Sequence, residues 1–186
     1  MTTPDAVLTF WFDKLVPEQR FARDDTLDAQ IARRFGKLHA VLARAVPNDW
    51  TATPRSLLAT VVVLDQFSRN LFRDDARAFA QDAAALALAK EAISRGWDTN
   101  LSAVERQFLY MPLMHSEALA DVECCIALMH VAGHAASEAF AQRHAAVIAR
   151  FGRYPARNAA PGREMTPEEK NISRGDTSRV LMSFSQ

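Results

Sequence analysis

Three Thr-Pro pairs, Thr3-Pro4, Thr53-Pro54 and Thr166-Pro167, constrain this chain more than any other feature. In each, a hydroxyl able to cap a helix stands directly before a proline. Proline suits the first helical position because its missing N–H would go unpaired there in any case. Three helices are expected to begin at these points. Ser102 and Glu105 have the spacing of a capping box, and Asp74-Asp75 puts negative charge at a further start. Gly96 and Gly152 each follow a basic last turn and are able to take the left-handed conformation that ends a helix. Alternating β-branched strands and Asn-Gly hairpin turns are missing. An all-α fold follows, with helices expected over 4–13, 25–46, 54–72, 75–95, 102–116, 117–133 and 137–151.

Apolar spacing within these segments matches the helical period. Leu27, Ile31, Phe35, Leu38 and Leu42 form one stripe, and Leu57, Val61, Leu64, Phe67 and Leu71 another, each offering one face to a core. Pro112 interrupts the fifth segment and is expected to kink or split it near Met111. Short connections make consecutive helices antiparallel neighbours, so 25–46/54–72, 75–95/102–116 and 117–133/137–151 read as stacked helical hairpins. A chain of 186 residues accommodates one such domain.

Charge excludes several partners. Lys plus Arg and Asp plus Glu each total 22, and the pI near 7.0 leaves no global field to draw in nucleic acid or an anionic membrane. The longest apolar runs, near Leu57–Leu64 and Ala83–Ala89, fall well short of the roughly 18 residues a spanning helix needs. The N-terminal MTTPDAVLTFWFDKL carries Asp5 where a secretory leader would be basic, so a cytoplasmic protein is expected. The only cysteines, Cys124 and Cys125, are adjacent, which suits reduced thiols better than a disulfide. No phosphate loop, dinucleotide fingerprint or Gly-x-Ser-x-Gly elbow is present, and no cofactor is expected. His130 and His134 have a metal-compatible spacing but lack a marked third ligand, so no metal is expected either.

Candidate chemistry gathers in three places. In LDQFSRNLFR, Asp65, Arg69 and Arg73 step along the helix at i,i+4 intervals, with Asn70 between the arginines. This ladder is either an ordinary intrahelical ion pair or a cleft wall in which Asp65 orients an arginine toward a carboxylate or phosphate. His115 continues the stripe of Val104, Phe108 and Met111, and His144 lies among Phe140, Val147 and Phe151, so both histidines should point inward. Convergence with Asp65 or Glu117 would make an acid–base site; otherwise both are core histidines bonded to carbonyls or acids. The stretch RFGRYPARNAAPGRE carries Arg150, Arg153, Arg157 and Arg163 through a course set by Gly152, Pro155, Pro161 and Gly162. Its arginines and Asn158 either recognise an anion, with Tyr154 stacked on a guanidinium or on a ligand, or clamp the loop to helix carbonyls and to acids such as Asp65 or Glu117.

The segments VLTFWF, LDQFSRNLFRDDARAFAQDAAAL, ERQFLYMPLMHSEALAD and RFGRYPARNAAPGREMTPEE, taken in that order over residues 7–169, resemble the bacterial family called domain of unknown function 924. The resemblance implies an all-helical fold similar to tetratricopeptide repeats. It marks Asp65, Gln66, Arg69, Asn70 and Arg73, then His115, Ser116, Glu117 and His144, then Arg153, Arg157, Asn158 and Arg163 as motif positions without assigning a reaction. Ser68 departs from the family's frequent proline. Residues 1–170 are expected to form the domain, and the polar stretch 171–186 departs from the family pattern and is expected to be disordered or differently packed. Three functions fit these features. One is a binding module for an anionic small molecule or acidic peptide through an arginine-lined groove. Another is a hydrolase or transferase with a His/carboxylate pair acting on a phosphorylated or carboxylated substrate. The third is a scaffold whose arginines brace the helices.

Overall fold

The computed structural model describes residues 2–158 and 162–174. Among them the chain is helical throughout its regular structure, without strands. The Thr-Pro starts behave as their chemistry requires. Thr3 accepts from the Ala6 amide ahead of α1 (Pro4–Leu8), and Thr53 caps α3 (Pro54–Val61) in a reciprocal box with Ser56. Thr166 accepts from the Glu169 amide at the start of α9 (Pro167–Arg174). α9 runs past position 170, where the sequence sets off a separate tail; residues 175–186 of that tail lie outside the described residues. Ser102 and Glu105 form the expected capping box ahead of α6 (Ala103–Met114).

The second expected stripe is corrected by the structure. α3 continues through a π-helical stretch, Val62–Phe67, into α4 (Ser68–Leu71), and every residue from Ser56 to Arg69 is buried. A helix apolar on all sides belongs inside a protein rather than on its surface. From Ser56 to Leu64 there is no charged side chain, so no face of this rod is fit for water. The polar groups along it are satisfied locally: Thr60 Oγ1 donates to the carbonyls of Trp50 (2.8 Å) and Ser56 (3.0 Å), and Ser68 Oγ donates to that of Leu64. α1, α2 (Asp25–Arg44), α5 (Asp82–Ser94) and α6 pack around this central rod. Phe10, Phe35 and Phe67 form an aromatic heart, with Phe35 centred 5.0 Å from each of the other two rings. α7 (Leu119–Val131) and α8 (Ala135–Phe151) pair with each other and lean on α6.

Of the two outcomes expected at Pro112 the split does not occur, and one other expected helix divides. α6 runs unbroken through Pro112 because the helix ends only at Met114, so the ring removes a single bond, the one the Phe108 carbonyl would have accepted. The helix expected from position 75 divides into a short turn, Ala76–Phe79, capped by Asp75, and α5 itself. Among the described residues no helix is long and apolar enough to cross a membrane.

Glycine placement yields a paired prediction. Gly152 ends α8 at φ +65°, with its amide bonded to the Ile148 carbonyl, whereas Gly36 lies inside α2 with open space where a Cβ would go. Gly152→Ala is expected to lower unfolding free energy by about 1 kcal/mol through left-handed strain. Gly36→Ala is expected to raise it by roughly 0.5–1 kcal/mol through helix propensity. Urea denaturation of the two variants should therefore move the midpoint in opposite directions.

Candidate functional site

The π-helical stretch sets Asp65 and Gln66 side by side in the interior, and such stretches recur at functional sites because they re-aim side chains. One turn on, α4 supplies Arg69. His115 arrives from the opposite direction, as the residue that closes α6. The result is a fully buried carboxylate with three partners. His115 Nδ1 lies 2.7 Å from Asp65 Oδ1, the Gln66 amide donates to Oδ2, and Arg69 Nη2 approaches Oδ1 at 3.6 Å. Burial alone would push Asp65 up, but the His115, Arg69 and Gln66 donors outweigh it and hold the carboxyl at about 2. An ionised Asp65 fixes the proton of His115 on Nδ1 and leaves Nε2 as the acceptor. Nε2 makes no hydrogen bond among the described residues.

A second carboxylate stands behind this pair. Asp82, in the first turn of α5, lies 2.8 Å from Arg69 Nη2 and 3.1 Å from Arg157 Nη1. Burial pushes Asp82 up, the Asp65 charge adds to that, and the two guanidinium groups oppose it. Arg69 also donates to the Ala78 carbonyl, and Arg157 donates to that of His115 at 2.8 Å. The Arg157 guanidinium lies between the rings of Phe79 and Tyr154, each centred 4.7 Å from its Cζ. The backbone at His115 and the second arginine layer are thereby tied together.

A cavity of about 450 Å³ opens beside His115. Its wall carries Arg20, Arg69, Arg73, Gln66, His115 and His144, together with Phe21, Met111, Met114 and Phe140, and no carboxylate lines it. The two inward histidines therefore meet in one cavity. His144 bonds the Phe140 carbonyl through Nδ1 at 3.0 Å, and burial pushes it down to about 3, so it is neutral at physiological pH. His115 also borders a more open depression of about 460 Å³ shared with Asp82, Glu117, Arg157 and Arg163.

The other candidate residues face internal partners. Arg73 and Asn70 both bind Asp28 of α2, Asn70 at 2.7 Å. In the arginine loop, Arg150 pairs with Glu168 at 2.9 Å and Arg153 with Glu169 at 2.8 Å, while Asn158 donates to Glu169. Arg163 holds Glu117 at 2.7 Å, and Glu117 also accepts the Tyr154 amide. Burial would raise Glu117, but these donors hold it down. All four loop arginines thus meet an acid. Ser116 donates to Asp121 at 2.8 Å. His130 and His134 part company because α7 ends at Val131 and His134 bonds the Ala103 carbonyl. Among the described residues no group of three or more metal-ligating side chains forms. Sequence reasoning passed over Asp28, Asp82 and Glu169, which act across stretches of chain that no local pattern marks, and Arg20, whose partners are backbone carbonyls of Trp11, Phe12 and Leu15 that side-chain spacing does not reveal.

The model of a family described as a bacterial protein of unknown function (DUF924) matches residues 7–174. The chain belongs to the DUF924 family. Within the same frame, the solved structure of a protein of unknown function, ATU0120, from Agrobacterium tumefaciens is 35% identical. That likeness covers 92% of this chain and 97% of the other, with a TM-score of 0.86. No curated protein matches the chain. The DUF924 match takes in Asp65, His115 and His144 and reaches the end of α9.

Proposed function

We propose that this DUF924 protein is an acid–base enzyme, a hydrolase or transferase acting on an anionic small molecule, with His115 as the proton acceptor and Asp65 as its orienting carboxylate. The observation that carries this reading is the 2.7 Å bond from His115 Nδ1 to a fully buried, ionised Asp65 beside a carboxylate-free cavity. A structural histidine needs no ionised carboxylate behind it, and burying that charge is costly unless it serves another group. Asp65 here does for His115 what the acid of a catalytic triad does for its histidine, fixing tautomer and orientation. No hydroxyl or thiol lies within hydrogen-bonding distance of His115 among the described residues, so its Nε2 would take a proton from water or from the substrate itself. Asn70, Arg69 and Arg73 are held by acids behind the wall, which keeps their donors in place for a ligand carboxylate or phosphate.

The binding-module reading shares Arg69, Asn70 and Arg73 with the enzyme reading and adds Arg153, Arg157, Asn158 and Arg163 from the loop, where the three guanidinium groups are engaged by Glu169, Asp82 and Glu117. The enzyme reading makes a sharper prediction. In a screen of small carboxylate and phosphate esters, His115→Gln is expected to reduce turnover by about 100-fold or more while leaving ligand affinity within a few-fold of wild type. Nitrogen-detected NMR should place the neutral-ring proton of His115 on Nδ1. A variant that retains turnover, or a ring protonated on Nε2, would remove His115 from the role.

A further inference from the structure

The cavity beside His115 carries an excess charge at one identifiable atom group. Arg20 ends the short helical turn Pro17–Arg20 and folds back on the end of the π-helical stretch Thr9–Lys14 that continues α1. Its Nε donates to the Trp11 carbonyl at 2.8 Å, and its Nη2 donates to those of Phe12 at 2.8 Å and Leu15 at 2.9 Å. These are carbonyls left over where a helix stops, and a guanidinium satisfies them without neutralising itself. The Phe12 ring lies under the group, with its centroid 5.6 Å from Cζ. Arg20 is thus fixed in place, and its Nη1 makes no hydrogen bond among the described residues.

Its neighbours in the wall are different. Arg69 is matched by Asp82 and Asp65, and Arg73 by Asp28, whereas no carboxylate lies within ion-pair distance of Arg20 among the described residues. Asp13 and Glu18 act on its charge from farther away, and both are exposed to water. Counting the layer behind the wall, the guanidinium groups of Arg20, Arg69, Arg73 and Arg157 face the carboxyl groups of Asp28, Asp65 and Asp82, three acids for four arginines. The arginine left without an acid of its own among the described residues is Arg20. The same cavity is lined by Phe21, Met111, Met114 and Phe140, adaptable apolar surface suited to a hydrocarbon or aryl body. Phe21 stays 46% exposed while stacked on Phe108 at 5.7 Å, which leaves one face of an aromatic ring open beside Arg20.

We propose that this cavity takes a monocarboxylate with an apolar body, an aryl or medium-chain acyl acid, anchored through its carboxylate on Arg20 and packed against Phe21, Met111, Met114 and Phe140. The proposal rests on the reading of the cavity as a site for an anionic small molecule and narrows its class: a single excess charge matches a carboxylate better than a doubly charged phosphate ester. Arg20 is the specificity-determining residue, and His115 is not needed for binding.

The test is calorimetric titration of the full chain with phenylacetate and phenylacetamide, which share a body and differ in charge, and with octanoate and inorganic phosphate. Phenylacetate or octanoate is expected to bind, with phenylacetate at least about tenfold tighter than its amide, the range expected for a charge-assisted contact. Arg20→Gln should abolish that preference, Arg20→Lys should restore part of it, and His115→Gln should keep it. Equal binding of acid and amide, tighter binding of phosphate than of either carboxylate, or no binding of either carboxylate would overturn the proposal. Because acid and amide are compared on the wild type, the result does not depend on Arg20→Gln folding well. Carboxylate binding without any His115-dependent turnover would sink the enzyme reading and leave this one standing. His115-dependent turnover confined to neutral substrates would do the reverse.

Discussion

Asp65→Ala is expected to lower the unfolding free energy by about 3–5 kcal/mol, the range for breaking a buried ion pair from one side. Asp65 is entirely shielded from water, accepts from His115 and Gln66, and is paired with Arg69 at 3.6 Å. Removing it leaves an imidazole N–H and an amide without their acceptor in the middle of the rod that the other helices surround, and takes away one of the two acids paired with Arg69 among the described residues; each uncompensated group carries its own desolvation cost. Asp65→Asn keeps the shape and one acceptor oxygen, so a smaller loss of about 1–3 kcal/mol is expected, from an amide meeting the Gln66 amide. The control is Glu91→Ala, which breaks the exposed i,i+4 pair of Glu91 with Arg95 and should cost no more than about 0.5 kcal/mol. Urea denaturation at neutral pH measures all three. Asp65→Ala with a loss as small as that of Glu91→Ala would mean that the interior relaxes around the gap, and that the carboxylate is not the organising charge of the site.

The ends of the helices were legible in the sequence because caps act over three or four residues. Thr3, Thr53, Ser102 and Thr166 meet their amides at the spacing their residue types demand, and Gly96 and Gly152 adopt the left-handed backbone that only glycine takes cheaply. Asp65 and His115 were visible as candidates, but their meeting across 50 residues was not, since nothing local encodes it. The stripe Leu57, Val61, Leu64 misled because an amphipathic pattern was read into a segment that is apolar all round. The charge-free run from Ser56 to Leu64 was the better signal, and it places Asp65 and Arg69 in the interior rather than on a surface ladder. The arginine loop illustrates the same limit. Its four guanidinium groups fitted either an anion site or clamps to acids such as Asp65 or Glu117, and the acids it meets include Glu168 and Glu169 from α9 and Asp82 from α5, which sequence order does not reveal.

Acidification from pH 6.5 toward pH 3 is expected to remove stability on the order of 4 kcal/mol through His144 alone. Burial drives the His144 pKa from its ordinary 6.5 down to about 3; the Phe140 carbonyl opposes this, and nearby positive charge, that of Arg157 and Arg143 included, reinforces it. The unfolded chain therefore takes up a proton near pH 6.5 that the folded chain refuses until about pH 3. Stability is complete above pH 6.5 and falls by about 1.4 kcal/mol for each unit below it. His39, also lowered by burial, contributes in the same direction. Asp65 extends the loss at the acid end: held at about 2 against an ordinary 3.8, it contributes stability above pH 3.8 that disappears as pH falls toward 2. Denaturant midpoints at pH 7, 6 and 5 should fall in wild type, and His144→Gln should flatten most of that slope, because glutamine offers the cavity a polar group that does not titrate. An unchanged slope in His144→Gln would assign the acid sensitivity to His39 or to the carboxylates. A flattened slope would assign the acid sensitivity to His144, so that the helix carrying this part of the cavity lining is at its most stable while the histidine is neutral.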